Sequence, residues 1–244
     1  MRLNNIRIVL VNPSHPGNIG STARAMRTMG LTRLYLVSPQ AFPHPQAQEL
    51  AAGADDVLAE AVVTDTLATA IGDCHFVFAT SARRRELALP GLEAAAAAKF
   101  ALASDPSKEY AFVFGRERTG LSNEELLQCH YHIHIPTDEA FASLNLAQAV
   151  QIIAYELRVN SLSTVAPLNS DSDMATMNEL EQFYTHLHEV LIDIDFLKPS
   201  NPKKLMQRLR RLFNRTKLEE KEVHILRGIL TQVQKSLAGG KNDL

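Results

Sequence analysis

The chain has 244 residues, enough for one large domain or for a medium domain with a smaller companion, and its 45% hydrophobic and 21% charged residues are those of an ordinary globular protein. No stretch approaches the ~18 consecutive apolar residues of a membrane span, the N-terminus lacks the flanks of a signal peptide, and the two cysteines have neither a pairing nor a CxxC spacing, so a reduced, cytoplasmic protein is expected. The net charge of -2 gives no general attraction to nucleic acid, but the basic side chains are unevenly placed: residues 198–217 hold eight of them and no acid, and Arg83, Arg84 and Arg85 form a second cluster.

From the N-terminus, short β-branched runs at residues 6–11, 34–37, 76–79 and 111–114 alternate with longer helix-like stretches, the first at residues 19–29. That alternation predicts an α/β domain with a mostly parallel sheet. Ligands of such sheets bind at the carboxyl ends of strands, which directs attention to the loops after Val11, Ala79, Phe114 and Ile135. Residues 160–173 turn to Ser, Asn and Asp, the composition of a linker, and beyond them apolar residues recur at three and four. The expected division is 1–160 for the α/β domain, 161–175 for a linker and 176–244 for a small all-helical module. On the middle helix of that module Lys204, Arg208, Arg211 and Arg215 share one stripe, suited to tracking phosphates.

The first loop, NPSHPGNIGSTARAMRTMG, is stiffened by Pro13 and Pro16, and Asn18 is a candidate cap for the helix that follows. Burying Ile19, Ala23, Met26 and Gly30 turns Arg24 to the polar side with Ser21 and Thr28. The loop is neither GxGxxG nor GxxxxGK[ST], which removes the dinucleotide and nucleoside-triphosphate readings. The second loop, Thr80-Ser81-Ala82-Arg83, is small and then basic. The third, GRERTG from Gly115 to Gly120, has glycines where backbone must come close or adopt positive φ. After the strand HYHIHIP, Ser143 and Asn145 precede a helix as natural caps. His130, His132 and His134 alternate on one strand face, but no carboxylate or cysteine completes a ligand set beside them, so no metal is expected.

Taken together, the order and content of these loops resemble the three signature motifs of the SPOUT methyltransferases, in their TrmH-like branch. Residues 18–24 (NIGSTAR) look like the first motif, FVFGRERTG at 112–120 like the second, and Ile135-Pro136 with Ser143-Leu144-Asn145-Leu146 like the third. The stretch FVFGRERTGLSNEEL and the helical extension are similar to bacterial members that methylate the ribose of nucleotide 32 in the tRNA anticodon loop. The resemblance implies a C-terminal trefoil knot in the α/β domain, a homodimer, and S-adenosylmethionine as cofactor without a metal. It implies a cofactor pocket of Thr80, Ser81, Ala82, Gly115, Ile135, Ala142, Ser143 and Leu144.

The implied reaction is attack of a ribose 2'-hydroxyl on the sulfonium methyl, leaving S-adenosylhomocysteine. Arg24 is the expected catalytic residue, supported by Asn18, Glu117, Ser143 and Asn145, with Arg83, Arg84, Arg85 and the tail stripe on the tRNA. A guanidinium stays protonated, which disfavours the family's general-base role for Arg24 and favours a phosphate clamp that stabilises developing alkoxide; both stay open. The alternatives are a ribosomal-RNA enzyme of the same chemistry and a non-catalytic RNA-binding factor. Neither DNA nor a membrane is an expected partner.

Overall fold

The computed structural model describes residues 3–81, 89–103, 105, 107–138, 140–162, 173–199 and 204–239. They fall into two compact units, 1–170 and 171–244.

The first unit is built on seven strands: β1 (Ile6–Val11), β2 (Arg33–Val37), β3 (Val62–Thr64), β4 (Phe76–Thr80), β5 (Gly91–Glu93), β6 (Tyr110–Phe114) and β7 (Tyr131–His134). All pair in parallel, in the order β3-β2-β1-β6-β4-β7-β5. The four β-branched runs are therefore β1, β2, β4 and β6. Both β1 and β6 are buried along their whole length. This explains why they read as continuous apolar runs: a central parallel strand is covered on both faces. Phe78 stacks on Phe112 with ring centroids 4.8 Å apart and on Tyr131 at 5.4 Å, tying β4 to both its neighbours.

Among the described residues seven helices accompany the strands: α1 (Pro16–Met29), α2 (Pro45–Ala51), α3 (Asp55–Ala59), α4 (Leu67–Ile71), α5 (Ala94–Ala103), α6 (Asn123–Leu126) and, after the last strand, α7 (Leu146–Leu162). As expected, α1 buries Ile19, Ala23 and Met26. Gly30 departs from the expectation. It is exposed and ends α1 with φ of 83°, a left-handed cap whose N–H reaches the carbonyls of Arg27 and Met26. The cap of α1 also differs: His15 supplies it, through Nδ1, because Pro16 starts the helix and Asn18 is already inside its first turn.

At the amino end of the sheet, Arg7 is buried with its guanidinium over the Tyr35 ring, bonded to both oxygens of Asp73 (2.7 and 2.6 Å), to Glu109 and to the carbonyl of Ala70. Burial weakens its hold on the proton, but the bonds to Asp73 and Glu109 and the nearby negative charge together more than restore it. The Cys74 thiol beside it is pushed up to about 12, chiefly by burial. Both cysteines are fully buried, and neither forms a disulfide.

The second unit contains α8 (Met177–Asp193), α9 (Leu205–Thr216) and α10 (Glu220–Gly239). A capping box of Thr176 and Glu179 opens α8. Leu180 and Phe183 are buried as the periodicity predicted, with Phe213 edge-on to Phe183 at 4.9 Å. Leu212, Ile229 and Leu237, which also recur at helical spacing, are exposed instead.

Helices α1 and α2 cross at Gly20, where an added Cβ would lie 2.1 Å from the carbonyl oxygen of Ala47. Backbone cannot yield as a side chain can, so Gly20→Ala is expected to cost about 1–3 kcal/mol or more in a denaturant melt.

Candidate active site

The loops after β4, β6 and β7 enclose a cavity of about 330 Å³ at the carboxyl end of the sheet, within the size range of small-molecule sites. Thr80, Ser81, Gly115, Ile135, Ala142, Ser143 and Leu144 all line it, together with Glu117. Ala82, Arg83, Arg84 and Arg85 lie outside the described residues.

The floor is the turn that follows β6. Arg116 and Gly120 exchange backbone bonds (2.9 and 3.3 Å), and Gly120 has φ of 67°. A Cβ on Gly115 would sit 2.2 Å from the carbonyl carbon of Gly120, so the two glycines are what allow the chain to fold back this closely. Arg116 lines the cavity but is engaged elsewhere: its guanidinium forms a two-pronged pair with Glu125 (2.9 Å each) and also bonds Asn12. The bond to Glu125 strengthens Arg116's hold on its proton. Sequence reasoning quoted Arg116 within a motif without seeing this role, which depends on an acid nine residues away on α6.

Glu117 is the centre of a polar chain. Its carboxylate accepts from the Ser14 backbone N–H and hydroxyl, from the His15 N–H and from Asn18 Nδ2, at 3.0–3.3 Å. Partial burial pushes its pKa up, but these donors outweigh that and hold it below the ordinary value. Asn18 Oδ1 accepts in turn from Asn145 Nδ2 (2.9 Å), and Asn145 Oδ1 caps α7 by accepting from the Ala147 N–H (2.9 Å). Asn18, Glu117 and Asn145 are thus gathered into one network beside Ser143. Ser14 and His15 were not singled out from sequence. The signal available was the Pro16 that fixes where α1 begins.

Arg24 is exposed on α1, on the side the sequence assigned, and is not among the cavity-lining residues. Thr80 Oγ1 is buried at the cavity and has no hydrogen-bond partner among the described residues. The three histidines have different surroundings. His130 Nδ1 accepts the Val77 N–H (3.1 Å), and His132 Nε2 meets the Ser81 carbonyl (3.2 Å). Among the described residues no group of three or more His, Cys, Asp or Glu is placed to hold a metal ion.

A parallel sheet carrying these three loops around one cavity has a family counterpart: residues 5–155 match the SpoU rRNA Methylase family. The chain therefore belongs to the SpoU methylases, and it is a methyltransferase. Within that family it belongs to the TrmJ branch, since residues 178–242 match the TrmJ C-terminal domain and nearly the whole chain aligns with curated TrmJ enzymes. The tRNA (cytidine/uridine/adenosine-2'-O-)-methyltransferase TrmJ of Pseudomonas aeruginosa is 48% identical over 97% of this chain and 96% of its own. The tRNA (cytidine/uridine-2'-O-)-methyltransferase TrmJ of Pectobacterium atrosepticum is also 48% identical, over 96% and 98%. Among solved structures, TrmJ from Z. mobilis ZM4 superposes with a TM-score of 0.83 at 34% identity, covering 93% of this chain and 98% of that one.

The depressed Glu117 pKa has a definite sign. A carboxyl whose folded pKa lies below its unfolded value contributes stability that is fully present above the unfolded pKa and is lost as pH falls through the folded one. Glu117→Gln, which puts an amide donor among donors, is expected to be less stable than the parent at pH 7. The gap should close as pH drops below the ordinary carboxylate range. Paired denaturant melts from pH 7 to 3 check both statements.

Proposed function

We propose that this enzyme methylates the ribose 2'-hydroxyl of nucleotide 32, a cytidine or uridine, in the tRNA anticodon loop, with S-adenosylmethionine as methyl donor and without a metal. The observation that carries the reading is the convergence of the loops after β4, β6 and β7 on one cavity, in a chain that follows tRNA-modifying relatives through both of its units. The description of the first family model as an rRNA methylase favours a ribosomal substrate, but the match of the C-terminal residues is to a tRNA enzyme.

The cavity fits the cofactor. It is large enough, and Thr80 Oγ1 offers it a buried polar atom that lacks a protein partner among the described residues. Thr80, Ser81, Gly115, Ile135, Ala142, Ser143 and Leu144 would hold it; Ala142 has only backbone and a methyl group to offer. When bound, it supplies an electrophilic methyl group. Arg24 acts as a clamp: its permanent charge grips a phosphate next to the target, orients the ribose and stabilises the alkoxide as the proton leaves for a phosphate oxygen or water. Glu117, Asn18, Asn145 and Ser143 hold the first and third motif loops in register around that position.

In the second unit, Lys204, Arg208, Arg211 and Arg215 are all exposed and, among the described residues, make no ion pair. Glu181 on α8 pairs with Arg210 instead (2.5 and 2.6 Å). That leaves the stripe open to RNA phosphates, and Arg83, Arg84 and Arg85 are assigned to tRNA contact as well. Homodimer formation is supported by α7, where Tyr155, Val159 and Leu162 form an exposed apolar stripe. A cytoplasmic location follows from the tRNA substrate, and among the described residues no helix is long and apolar enough to cross a membrane.

Arg24→Ala is expected to lower methyl transfer at least about a hundredfold while cofactor affinity stays near that of the parent, and Arg24→Lys to restore little, because neither side chain can grip a phosphate with a two-pronged fork. Nucleoside mass mapping of tRNA treated with each variant reads this. Near-parental turnover in either would remove Arg24 from the mechanism. Methyl transfer should also persist in EDTA.

Replacing the four stripe residues with Gln is expected to weaken tRNA binding and flatten its salt dependence by roughly 0.7–0.9 in log-log slope for each phosphate no longer neutralised. A stripe that serves only the fold would instead lower the melting temperature and leave that slope unchanged.

A further inference from the structure

Helices α1 and α2 begin in the same way. Each starts at a proline preceded by a histidine, and each histidine turns Nδ1 back to accept the N–H two residues on: His15 from Gly17 (3.2 Å) and His44 from Gln46 (3.1 Å). Proline at the first helical position has no N–H, so this is the first donor of each helix that needs an acceptor. The common N-cap side chains, Ser, Thr, Asp and Asn, keep their oxygen acceptors throughout the neutral range, whereas an imidazole is neutral or cationic there according to pH. Only the neutral ring has a free Nδ1. Once protonated, Nδ1–H faces the Gly17 N–H, donor against donor, at the positive end of the helix.

The two caps differ in what hangs from them. The His15 N–H also donates to Glu117, and one turn further along α1 Asn18 bridges Glu117 to Asn145, the cap of α7 beside the cavity. Resting on the functional reading above, we infer that His15 is a positioning residue whose neutral imidazole fixes the first turn of α1 and, through Asn18 and Glu117, the alignment of the motif loops for methyl transfer. Protonation of the ring would remove that acceptor and loosen the alignment, an acid limb to be sought between about pH 5 and 8. The charged groups on the elements around it are Arg116, Glu117 and Arg118 on the turn after β6, Arg24 and Arg27 further along α1, and Glu49 on α2. Of these, Glu117 is bonded to the His15 backbone.

The test is the pH profile of kcat/KM for tRNA in the parent, His15→Asn, His15→Leu and His44→Asn, with cofactor binding and melting temperature measured alongside. Asn caps without titrating, so His15→Asn is expected to keep neutral-pH activity and lose the acid limb. His15→Leu should lose about five- to tenfold at neutral pH, the size of a missing cap, and meet the parent at the acid end of the profile. His44→Asn, which alters the same cap away from Glu117, should keep the parental limb. The inference is overturned if His15→Asn retains the acid limb. It is overturned equally if the Gly17 amide resonance of the parent fails to shift across that pH range in two-dimensional NMR. The amide measurement stands without activity: a parent that methylates no tRNA would remove the functional reading and leave the His15 cap to be decided by Gly17.

Discussion

Much of the active end of this protein depends on one carboxylate held by neutral donors. Glu117 has no cation among its hydrogen-bond partners in the described residues; the backbone of the first loop, the Ser14 hydroxyl and the Asn18 amide surround it instead. Such donors are fixed by the fold, so the anion serves as a rigid joint. It ties the turn after β6 to the start of α1, and through Asn18 and Asn145 to the start of α7. These are the places where the three sequence motifs meet. A Lys or Arg partner would satisfy the charge with a long, rotatable chain and define position less well.

What could be read from the sequence followed physical range. Strands β1 and β6 were visible because burial on both faces leaves an unbroken apolar run, and α1 because its inward positions recur at helical spacing. Strand order was not visible from local pattern, since pairing β1 with β6 joins residues about a hundred positions apart. The motif loops predicted a shared cavity only as a set, by family likeness; each alone read as an ordinary turn or cap. The cap of α1 was assigned to Asn18 on residue preference, and lost to His15 because Pro16 starts the helix two residues earlier, which leaves the Asn18 amide to Glu117 and Asn145, far away in sequence. The same limit applies to Arg24. Periodicity placed it on the outer face of α1 and could not place that face relative to the cavity.

The helical unit shows how similar residues on one helix take different work. Arg210 lies over the Tyr184 ring at 4.5 Å and is clamped by Glu181, while the Tyr184 hydroxyl, its proton held more firmly by burial, donates to Asn214 at 2.5 Å. This joins α8 to α9. Arg208 and Arg211, two positions before and one after, point away into solvent. A helix turns about 100° per residue, so neighbouring arginines cannot share a face, and the outward set is kept open because the inward one takes the acid.

The strand order has a consequence for how the chain is made. Because β6 sits between β1 and β4, and β7 between β4 and β5, the middle of the sheet is completed by segments that leave the ribosome late. Until residue 114 has emerged, β1 and β4 have no strand to join them, and their apolar edges stay open to pairing with other chains. The cavity is later still, since Ile135 and the loop beyond it close it. Vectorial synthesis cannot assemble this sheet strand by strand, so shielding of the first hundred residues, by a chaperone or by speed of elongation, becomes a condition of a good yield.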